Sequence, residues 1–210
     1  MRISSVIKYV MVFVAVALGV PPLLYHFVIR GSPSISVDLF LIMLIVSELS
    51  GISVFFLLLR KLGITFGDLG YRRPTSVLPY VLALLIALAY AGVELQIPSV
   101  MEYSLKLTTT KLLAVKAAIV AGFSEETVFR GFIMNFTKEY GTLMSSLLSA
   151  SLFGLSHLMW GLGGVLGTFL LGLGLAYVLS KGRSVVPCVV SHTIIDALIE
   201  PGLIITFFHL

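Results

Sequence analysis

Three ionisable side chains lie close together in an otherwise apolar stretch, the segment GFSEETVFRG from Gly122 to Gly131. If the segment is helical, Glu126 and Arg130 share a face, and the acid precedes the base, which is the favourable order for an ion pair. Glu125 is rotated by about 100° from Glu126, and Phe129 rather than a base follows it one turn later. The spacing therefore predicts a free carboxylate beside a fixed ion pair.

A free carboxylate in such a place has the chemistry of a general base. Burial in a poorly solvated cavity raises the pKa of a carboxyl group toward neutrality, and such a group can take a proton from water. An ionised side chain at mid-membrane costs at least about 2.5 to 3.5 kcal/mol on insertion scales, so such residues usually face a cavity and carry function. The alternative interpretation is a buried ion pair that only holds helices together.

Two later segments contribute histidines. The segment FGLSH ends at His157, and SHTIID places His192 and Asp196 one turn apart on one helix face. An acid at that spacing can orient the imidazole or accept its proton. For each histidine the alternative is a hydrogen-bonded packing residue. The complete candidate catalytic set is Glu125, Glu126, Arg130, His157, His192 and Asp196.

The composition predicts that an integral membrane protein carries these residues. Of the 210 residues, 58% are hydrophobic and 11% are charged, whereas an average soluble domain has roughly 25% charged residues. Apolar runs long enough to cross a bilayer recur along the whole chain, which a signal peptide alone does not explain. The net charge of +4 comes from basic residues in short connections without interleaved aromatic residues, so we expect no nucleic-acid partner. Cys188 stands alone, which excludes a disulfide framework and a Cys-rich zinc site.

Breaks at glycine, proline and charged residues divide the chain into seven predicted spans, with eight as the alternative. The predicted spans are Val6–Ile29, Val37–Leu59, Val77–Ile97, Leu112–Phe136, Thr142–Trp160, Gly164–Leu179 and Val185–Ile199. We expect a kink near Pro21 and Pro22 in the first span, short sixth and seventh spans, and a final segment, PGLIITFFHL, too brief to cross. The predicted fold is an all-α, polytopic transmembrane bundle with a polar cavity at mid-membrane. We expect residues 1–210 to form a single domain, with the core motifs within 121–197.

The distribution of lysine and arginine predicts the topology, because these residues accumulate in cytoplasmic connections. With the N-terminus in the cytoplasm, nine basic residues lie inside and four lie at outer positions. The nine are Arg2, Lys8, Arg60, Lys61, Arg72, Arg73, Lys138, Lys181 and Arg183, and the four are Arg30, Lys106, Lys111 and Lys116. At about 1.5 Å per helical residue, the candidate carboxylates and imidazoles can then meet at mid-membrane, with His157 as the loosest fit.

The three segments together resemble the CAAX protease and bacteriocin-processing family of intramembrane endopeptidases, also called the CPBP or Abi family. Its members include the Ras-converting prenyl-protein endopeptidases. The family's Glu-Glu-x-x-x-Arg, Phe-x-x-x-His and His-x-x-x-Asn/Asp motifs correspond in order to EETVFR, FGLSH and HTIID. In addition, ITFGDLGYRRP, from Ile64 to Pro74, resembles the connection that often precedes the family's core.

The resemblance implies a helical bundle with a conical cavity that opens toward the cytoplasm and the lipid. It also implies that Glu125 activates a water molecule with help from His157, while Glu126 and Arg130 hold the arrangement. His192 and Asp196 would then stabilise the oxyanion of the tetrahedral intermediate. The last residue of the family's third motif, which corresponds to Asp196, is asparagine or aspartate. An asparagine would donate a hydrogen bond to the oxyanion, whereas an ionised aspartate would repel it. We therefore expect Asp196 to orient His192, with a protonated, donating Asp196 as the alternative.

The resemblance leaves the metal, the substrate and even the activity open to alternatives. We expect no obligatory cofactor, although two histidines and a glutamate could bind zinc. The expected partners are the lipid bilayer and a membrane-associated protein or lipidated peptide, which could be a prenylated CAAX tail, a bacteriocin leader or a transmembrane segment. The alternative functions are a non-catalytic membrane scaffold of the same fold and a proton-coupled transporter. The sequence favours a multi-pass endopeptidase of the cell membrane.

Other polar and small residues rank lower. Glu48 lies midway along the second span, where packing is as good an explanation as function. Glu94 and His26 lie near outer span ends, where snorkelling to the interface explains them. The glycines of the sixth span predict close helix packing, and a lateral gate for a lipidated substrate is the alternative. They are Gly161, Gly163, Gly164, Gly167, Gly172 and Gly174.

Overall fold

The computed structural model describes residues 3–18, 37–104, 106 and 108–208. Within these ranges the chain is helical and contains no strand. The helices are α1 (Ile3–Phe13), α2 (Val37–Lys61), α3 (Leu78–Glu94), α4 (Pro98–Ser104), α5 (Thr109–Glu126), α6 (Thr142–Ser156), α7 (Gly161–Gly182) and α8 (Val186–Phe208). Helix α1 continues as a π-helical turn, Val14–Leu18, and 3-10 turns cover Lys138–Tyr140 and Leu158–Trp160.

The helix that carries the first motif changes its hydrogen-bonding pattern at the motif itself. After α5 the chain continues as a π-helix from Thr127 to Met134, in which every side chain is buried. The carbonyl of Phe129 inside this segment accepts a hydrogen bond from the Ser149 hydroxyl of α6, at 2.7 Å. A side chain that bonds to a backbone carbonyl in this way competes with the α-helical ladder. Such π segments are often found at functional sites.

The composition of the helices confirms a helical membrane bundle. In the described part of the chain, three segments are long and apolar enough to cross a membrane, Val37–Lys61, Leu158–Gly182 and Val186–Ile204. Shorter apolar helices are Ser4–Ala17, Leu78–Glu94 and Thr142–Ser156. Large apolar side chains such as Leu57, Leu85 and Leu170 are more than half exposed, as expected of a surface that contacts lipid.

Two of the predicted boundaries were wrong. The sixth and seventh predicted spans are not short, because α7 has 22 residues and α8 has 23. Helix α7 begins at Gly161, within the run of glycines, and α8 continues through Pro201 into the final segment that was predicted to lie outside a span. A proline is tolerated inside a membrane helix because neighbouring groups satisfy the freed carbonyl. The predicted kink at Pro21 and Pro22 lies outside the described residues, as do Arg2, His26 and Arg30.

Small residues bring the helices of the site close together. A Cβ atom added at Gly122 of α5 would lie 2.5 Å from the Oγ1 atom of Thr193 on α8 and 3.0 Å from its backbone nitrogen. At Gly154 of α6 it would lie 2.8 Å from the carbonyl oxygen of Val165 on α7. The α5–α8 and α6–α7 pairs therefore pack with nearly touching backbones, which is the usual role of glycine in membrane helices.

The bundle has two distinct ends. We call one the basic end, because it carries seven exposed basic residues: Arg60, Lys61, Arg72, Arg73, Lys138, Lys181 and Arg183. Its connections are tied together by hydrogen bonds, since the Val185 nitrogen donates to the Gly70 carbonyl and the Ser184 hydroxyl to the Arg72 carbonyl. At the opposite end, Lys111 Nζ donates to the Leu198 carbonyl at 2.8 Å.

The connection between α2 and α3 closes the basic end of the bundle. Its Asp68 carboxylate accepts hydrogen bonds from the side-chain hydroxyl and the backbone N–H of Thr65. These bonds favour the ionised form and hold the pKa of Asp68 below its usual value. The hydroxyl of Tyr71 lies 2.6 Å from Thr127 Oγ1 at the start of the π segment. The connection is therefore attached to the helix of the candidate site.

Candidate active site

An ion pair lies at the centre of the bundle. Arg130 Nη1 donates to Glu126 Oε1 at 2.9 Å, and both side chains are fully buried. The guanidinium carbon lies 4.2 Å from the centre of the Phe153 ring on α6, within cation–π distance. Gly172 of α7 leaves room for this group, because a Cβ atom there would lie 3.3 Å from Arg130 Nη2. The pairing expected from the four-residue spacing is present despite the π-helical backbone.

His192 connects this ion pair to the cavity. Its Nδ1 atom lies 2.8 Å from Glu126 Oε1, the oxygen that also accepts from Arg130. Its Nε2 atom lies 3.2 Å from Asp196 Oδ2. An imidazole donates to two carboxylates at once only when both of its nitrogens carry protons. Arg130, Glu126, His192 and Asp196 thus form one continuous network that joins α5 to α8.

Glu125 faces away from that network and toward His157. Glu125 Oε2 lies 3.7 Å from His157 Nε2, which is longer than a direct hydrogen bond. Among the described residues no hydrogen-bond donor reaches this buried oxygen. His157 Nδ1 lies 2.9 Å from the carbonyl oxygen of Phe153, so this nitrogen is the N–H donor. In the neutral imidazole that assignment leaves Nε2 as an acceptor facing Glu125.

A cavity of about 610 Å³ brings the predicted residues together. Glu125, His157, His192 and Asp196 all line it, whereas Glu126 and Arg130 lie behind its wall. Apolar and aromatic side chains such as Phe153 form much of the remaining lining. A concave, mostly apolar site with a few convergent polar groups is the usual form of a substrate pocket. The arrangement places the Glu125 carboxylate and two imidazoles in one cavity.

The cavity also contains residues that the sequence reasoning ranked low or missed. Glu94, which was assigned to snorkelling, also lines the cavity and is only partly exposed. Glu200 and Tyr90 line the same cavity and were not singled out. Glu200 could have been found from spacing, because it lies one helical turn after Asp196 and therefore on the same face.

Glu48 is completely buried beside the site. Its Oε2 atom accepts a hydrogen bond from the hydroxyl of Ser124, the residue that precedes Glu125. The hydroxyl also donates to the carbonyl oxygen of Val120, at 2.9 Å. Glu48 therefore joins α2 to the turn of α5 that carries the free carboxylate. The sequence placed Glu48 correctly at mid-span, but its partner is distant in the chain and could not be identified.

The donor set fits a metal ion poorly. Among the described residues no three histidine, cysteine, aspartate or glutamate side chains are arranged to bind one ion. Both nitrogens of His192 already face carboxylate oxygens, so neither is free to coordinate. The alternative set of Glu125, His157 and His192 would need a rearrangement of that network.

The cavity lies in the half of the bundle away from the basic end. Its lining comes from the first turns of α2 and α7, the last turns of α3, α5 and α6, and the later part of α8. Residues near its limits include Phe40, Ile97, Trp160, Gly163 and Thr206. Two expectations from the sequence are therefore incompatible. A cavity facing the cytoplasm would place the basic end outside, whereas the lysine and arginine distribution places it inside.

The comparison with known protein families agrees with the motifs. Residues 107–198 match the family model described as Type II CAAX prenyl endopeptidase Rce1-like. No curated protein and no solved structure gives a significant match to the chain. The matched region contains all three motifs and every predicted site residue, from Glu125 to Asp196. Over these 92 of its 210 residues, the chain is similar to the CAAX prenyl endopeptidases.

Proposed function

We propose that the chain is an intramembrane endopeptidase that hydrolyses a peptide bond of a membrane-associated substrate with water activated by Glu125. The observation that carries this proposal is the gap between Glu125 Oε2 and His157 Nε2, 3.7 Å wide, on the wall of the cavity. Both atoms are hydrogen-bond acceptors, so one water molecule can donate a hydrogen bond to each. A scaffold protein has no need for such an arrangement.

The proposed reaction begins with proton transfer from this water to Glu125. The oxygen of the water then attacks the scissile carbonyl carbon, and the carbonyl oxygen becomes an oxyanion in a tetrahedral intermediate. When the C–N bond breaks, the protonated Glu125 gives its proton to the leaving nitrogen, and the products are a carboxylic acid and an amine. His157 positions the water through Nε2, because its Nδ1–H is held by the Phe153 carbonyl. Glu125 thus acts as base and then as acid.

The charge of the oxyanion is stabilised from α8 in this mechanism. His192 lines the cavity, and its Nε2–H points to Asp196 at the cavity wall. The buried ion pair holds the other side of the ring through Glu126, at 2.8 Å. The imidazole that donates to both carboxylates carries a positive charge, and a charge that is fixed in place before the reaction begins stabilises the developing oxyanion without a reorganisation cost. Glu126, Arg130 and Asp196 are therefore positioning residues for His192.

The proposed partners are the bilayer and a membrane-associated protein or lipidated peptide. We place the chain in the cell membrane as a multi-pass protein, with the N-terminus in the cytoplasm because of the lysine and arginine distribution. The proposed mechanism uses no metal ion. We expect cleavage to persist after exhaustive treatment of the purified protein with strong chelators. Loss of activity on chelation, with recovery on addition of zinc, would contradict this part of the proposal.

The decisive test is the substitution Glu125→Gln in the purified full chain. The amide keeps the shape of the side chain but cannot take the proton, so we expect kcat to fall by about 10²- to 10⁴-fold. Cleavage of a fluorogenic peptide with a lipidated cysteine measures this effect. Glu102→Gln is the matched control, because Glu102 is exposed and, in the described part of the chain, its recorded ion pair is with Lys106.

Retained cleavage in Glu125→Gln would remove this residue from the role of base. A parent chain that cleaves no peptide would instead favour the scaffold function. Crosslinking in the membrane, followed by identification of the bound proteins, would then test that alternative directly.

A further inference from the structure

A second buried glutamate lies beside the candidate base and takes no part in the proposed mechanism. Glu48 of α2 is fully buried, yet it does not line the cavity. Its Oε2 atom is hydrogen-bonded to the hydroxyl of Ser124 on α5, the residue that precedes Glu125. Among the described residues no donor reaches its other oxygen, Oε1. Burial of a carboxyl group with so few hydrogen bonds is costly, so its state in the protein requires an explanation.

An ionised Glu48 would have little to compensate its charge. In the described part of the chain no ion pair involves Glu48. The ionisable groups within electrostatic reach are Glu125 on α5 and His192, Asp196 and Glu200 on α8. Three of these are acids, and both nitrogens of the one base, His192, already face other carboxylates. Because a buried carboxylate without a cationic partner is very costly, these surroundings favour a neutral Glu48.

The hydrogen bonds of Ser124 indicate where the proton of this neutral acid lies. A hydroxyl group has one proton to donate, and its oxygen can also accept. Ser124 Oγ contacts Glu48 Oε2 and lies 2.9 Å from the carbonyl oxygen of Val120, which can only accept. With a protonated Glu48, the acid donates to Ser124 and Ser124 donates to Val120, so both contacts contain a proton. With an ionised Glu48, one hydroxyl proton would have to serve both acceptors.

The same contact fixes the turn of α5 that carries the base. It joins α2 to α5 one residue before Glu125, close to the point where the π segment begins at Thr127. The position of a catalytic group matters, because a displacement of about 1 Å can lower the rate by about 10²-fold. A neutral acid provides this contact without a second negative charge beside a base that must be ionised to take a proton.

We infer that Glu48 is a positioning residue of the site, a neutral acid that holds Glu125 in place through Ser124. The positioning role rests on the proposed function of Glu125. The protonation of Glu48 does not depend on activity, so the two parts of the inference are tested by separate measurements.

Infrared difference spectroscopy of the purified full chain tests the proton on Glu48. The C=O stretching band of a protonated carboxylic acid is separate from the bands of carboxylates and amides. At neutral pH we expect the parent chain to show a carboxylic acid band that Glu48→Gln lacks. Glu102→Gln is the control and should keep the band, because Glu102 is exposed. An unchanged band in Glu48→Gln would overturn the assignment of a neutral acid.

The substitutions Glu48→Leu and Glu48→Gln test the positioning role. Leucine is similar in size but forms no hydrogen bond, so kcat should fall by at least about tenfold while KM changes little. The amide of Glu48→Gln donates to Ser124 as the protonated acid does. This variant should keep kcat within about threefold of the parent, and the pH dependence of kcat should keep its shape. An equal loss in both variants would show that charge matters and would overturn the inference, as would an unaltered kcat in Glu48→Leu.

The substitution Ser124→Ala removes the same contact from the other side and keeps the test valid if Glu48→Leu fails to fold. We expect a similar loss of kcat, and Glu48→Leu combined with Ser124→Ala should cost little more than either change alone. Ser50→Ala is the matched control, because Ser50 is exposed and donates to the carbonyl oxygen four residues earlier, as Ser124 does. Fully additive losses would show that Glu48 does not act through Ser124.

The two kinds of measurement separate this inference from the proposed function. If the parent chain cleaves no peptide but the carboxylic acid band disappears in Glu48→Gln, the result would count against the peptidase function and the positioning role. The assignment of a neutral acid at Glu48 would stand. If the parent cleaves peptide and Glu48→Leu cleaves it equally well, the proposed function would stand and the positioning role would not.

Discussion

At the scale of single residues, two adjacent glutamates with the same chemistry have different surroundings. Glu126 accepts hydrogen bonds from Arg130 and His192 through one oxygen and lies behind the cavity wall. Glu125 is rotated by about 100° on the helix and faces the cavity beside His157. The basic partners therefore fix one carboxylate, and the other remains open to the cavity. A single glutamate could not serve both purposes.

The substitution Asp196→Asn tests how His192 is held. If Asp196 orients the imidazole, the amide replaces a charge-assisted hydrogen bond with a neutral one, which weakens it by about 1 to 1.5 kcal/mol. We therefore expect kcat to fall by about tenfold. A variant that keeps or gains activity would support the alternative, in which residue 196 donates a hydrogen bond to the oxyanion. Glu102→Gln again serves as the control for nonspecific effects of the substitution.

The sequence could predict some contacts of the site and not others. The pairing of Glu126 with Arg130 follows from a spacing of four residues on one helix, as does the proximity of His192 to Asp196. The bond between Glu126 and His192 joins residues of α5 and α8, and its existence depends on how far one helix is shifted along the other. Helical periodicity contains no information on that shift, so only the structure reveals the network.

At the scale of helices, spans were easier to predict than their ends. Helix α2 follows the predicted second span closely, because an uninterrupted apolar run is bounded by Asp38 at one end and Arg60 and Lys61 at the other. The predicted ends of α7 and α8 were wrong because glycine and proline were taken as breaks between spans. Both residues are tolerated within membrane helices. The π segment was not predicted, because it depends on tertiary partners such as Ser149.

The substitution Gly122→Ala tests the close approach of α5 and α8. The added Cβ atom would lie 3.0 Å from the backbone nitrogen of Thr193, and backbone cannot rotate away as a side chain can. We expect a loss of about 1 to 3 kcal/mol in the free energy of unfolding. Because α8 must move outward, the bond from His192 to Glu126 should lengthen and catalysis should fall as well. Thermal unfolding in detergent and peptide cleavage measure the two effects.

Gly92→Ala is the matched control for this substitution. Gly92 is also helical, and a Cβ atom there would have no neighbour within 4 Å among the described residues beyond its own helix. The change should therefore leave stability unaltered or raise it slightly, since alanine favours a helix. Equal effects of the two substitutions would show that the close contact at Gly122 does not hold α8 in place.

At the scale of the whole molecule, orientation in the membrane decides which substrates the site can meet. The cavity and the basic residues lie at different ends of the bundle, so the same folded structure would serve different substrates in the two orientations. The sequence supplied the charge distribution but not the end at which the cavity lies, because the cavity is formed by parts of six helices. The side of the membrane from which the cavity is reached therefore depends on which end of the bundle lies in the cytoplasm.

If the basic connections determine the orientation, removing their charge should weaken it. We expect the combined replacement of Arg72, Arg73 and Lys181 by glutamine to give a mixed population, because three of the seven exposed charges at the basic end are lost. With Lys138→Cys as the reporter, part of the protein should then react with an impermeant maleimide in intact cells. Glutamine is suitable because acidic residues contribute little to this effect.

The matched control removes charge from the opposite end. Lys106→Gln combined with Lys116→Gln, on the same Lys138→Cys background, increases the difference between the two ends, so the reporter should remain protected in intact cells. If the triple replacement also left the reporter fully protected, the basic connections would not be what orients the chain. The charge difference between the two ends would then no longer predict which side of the membrane the cavity faces.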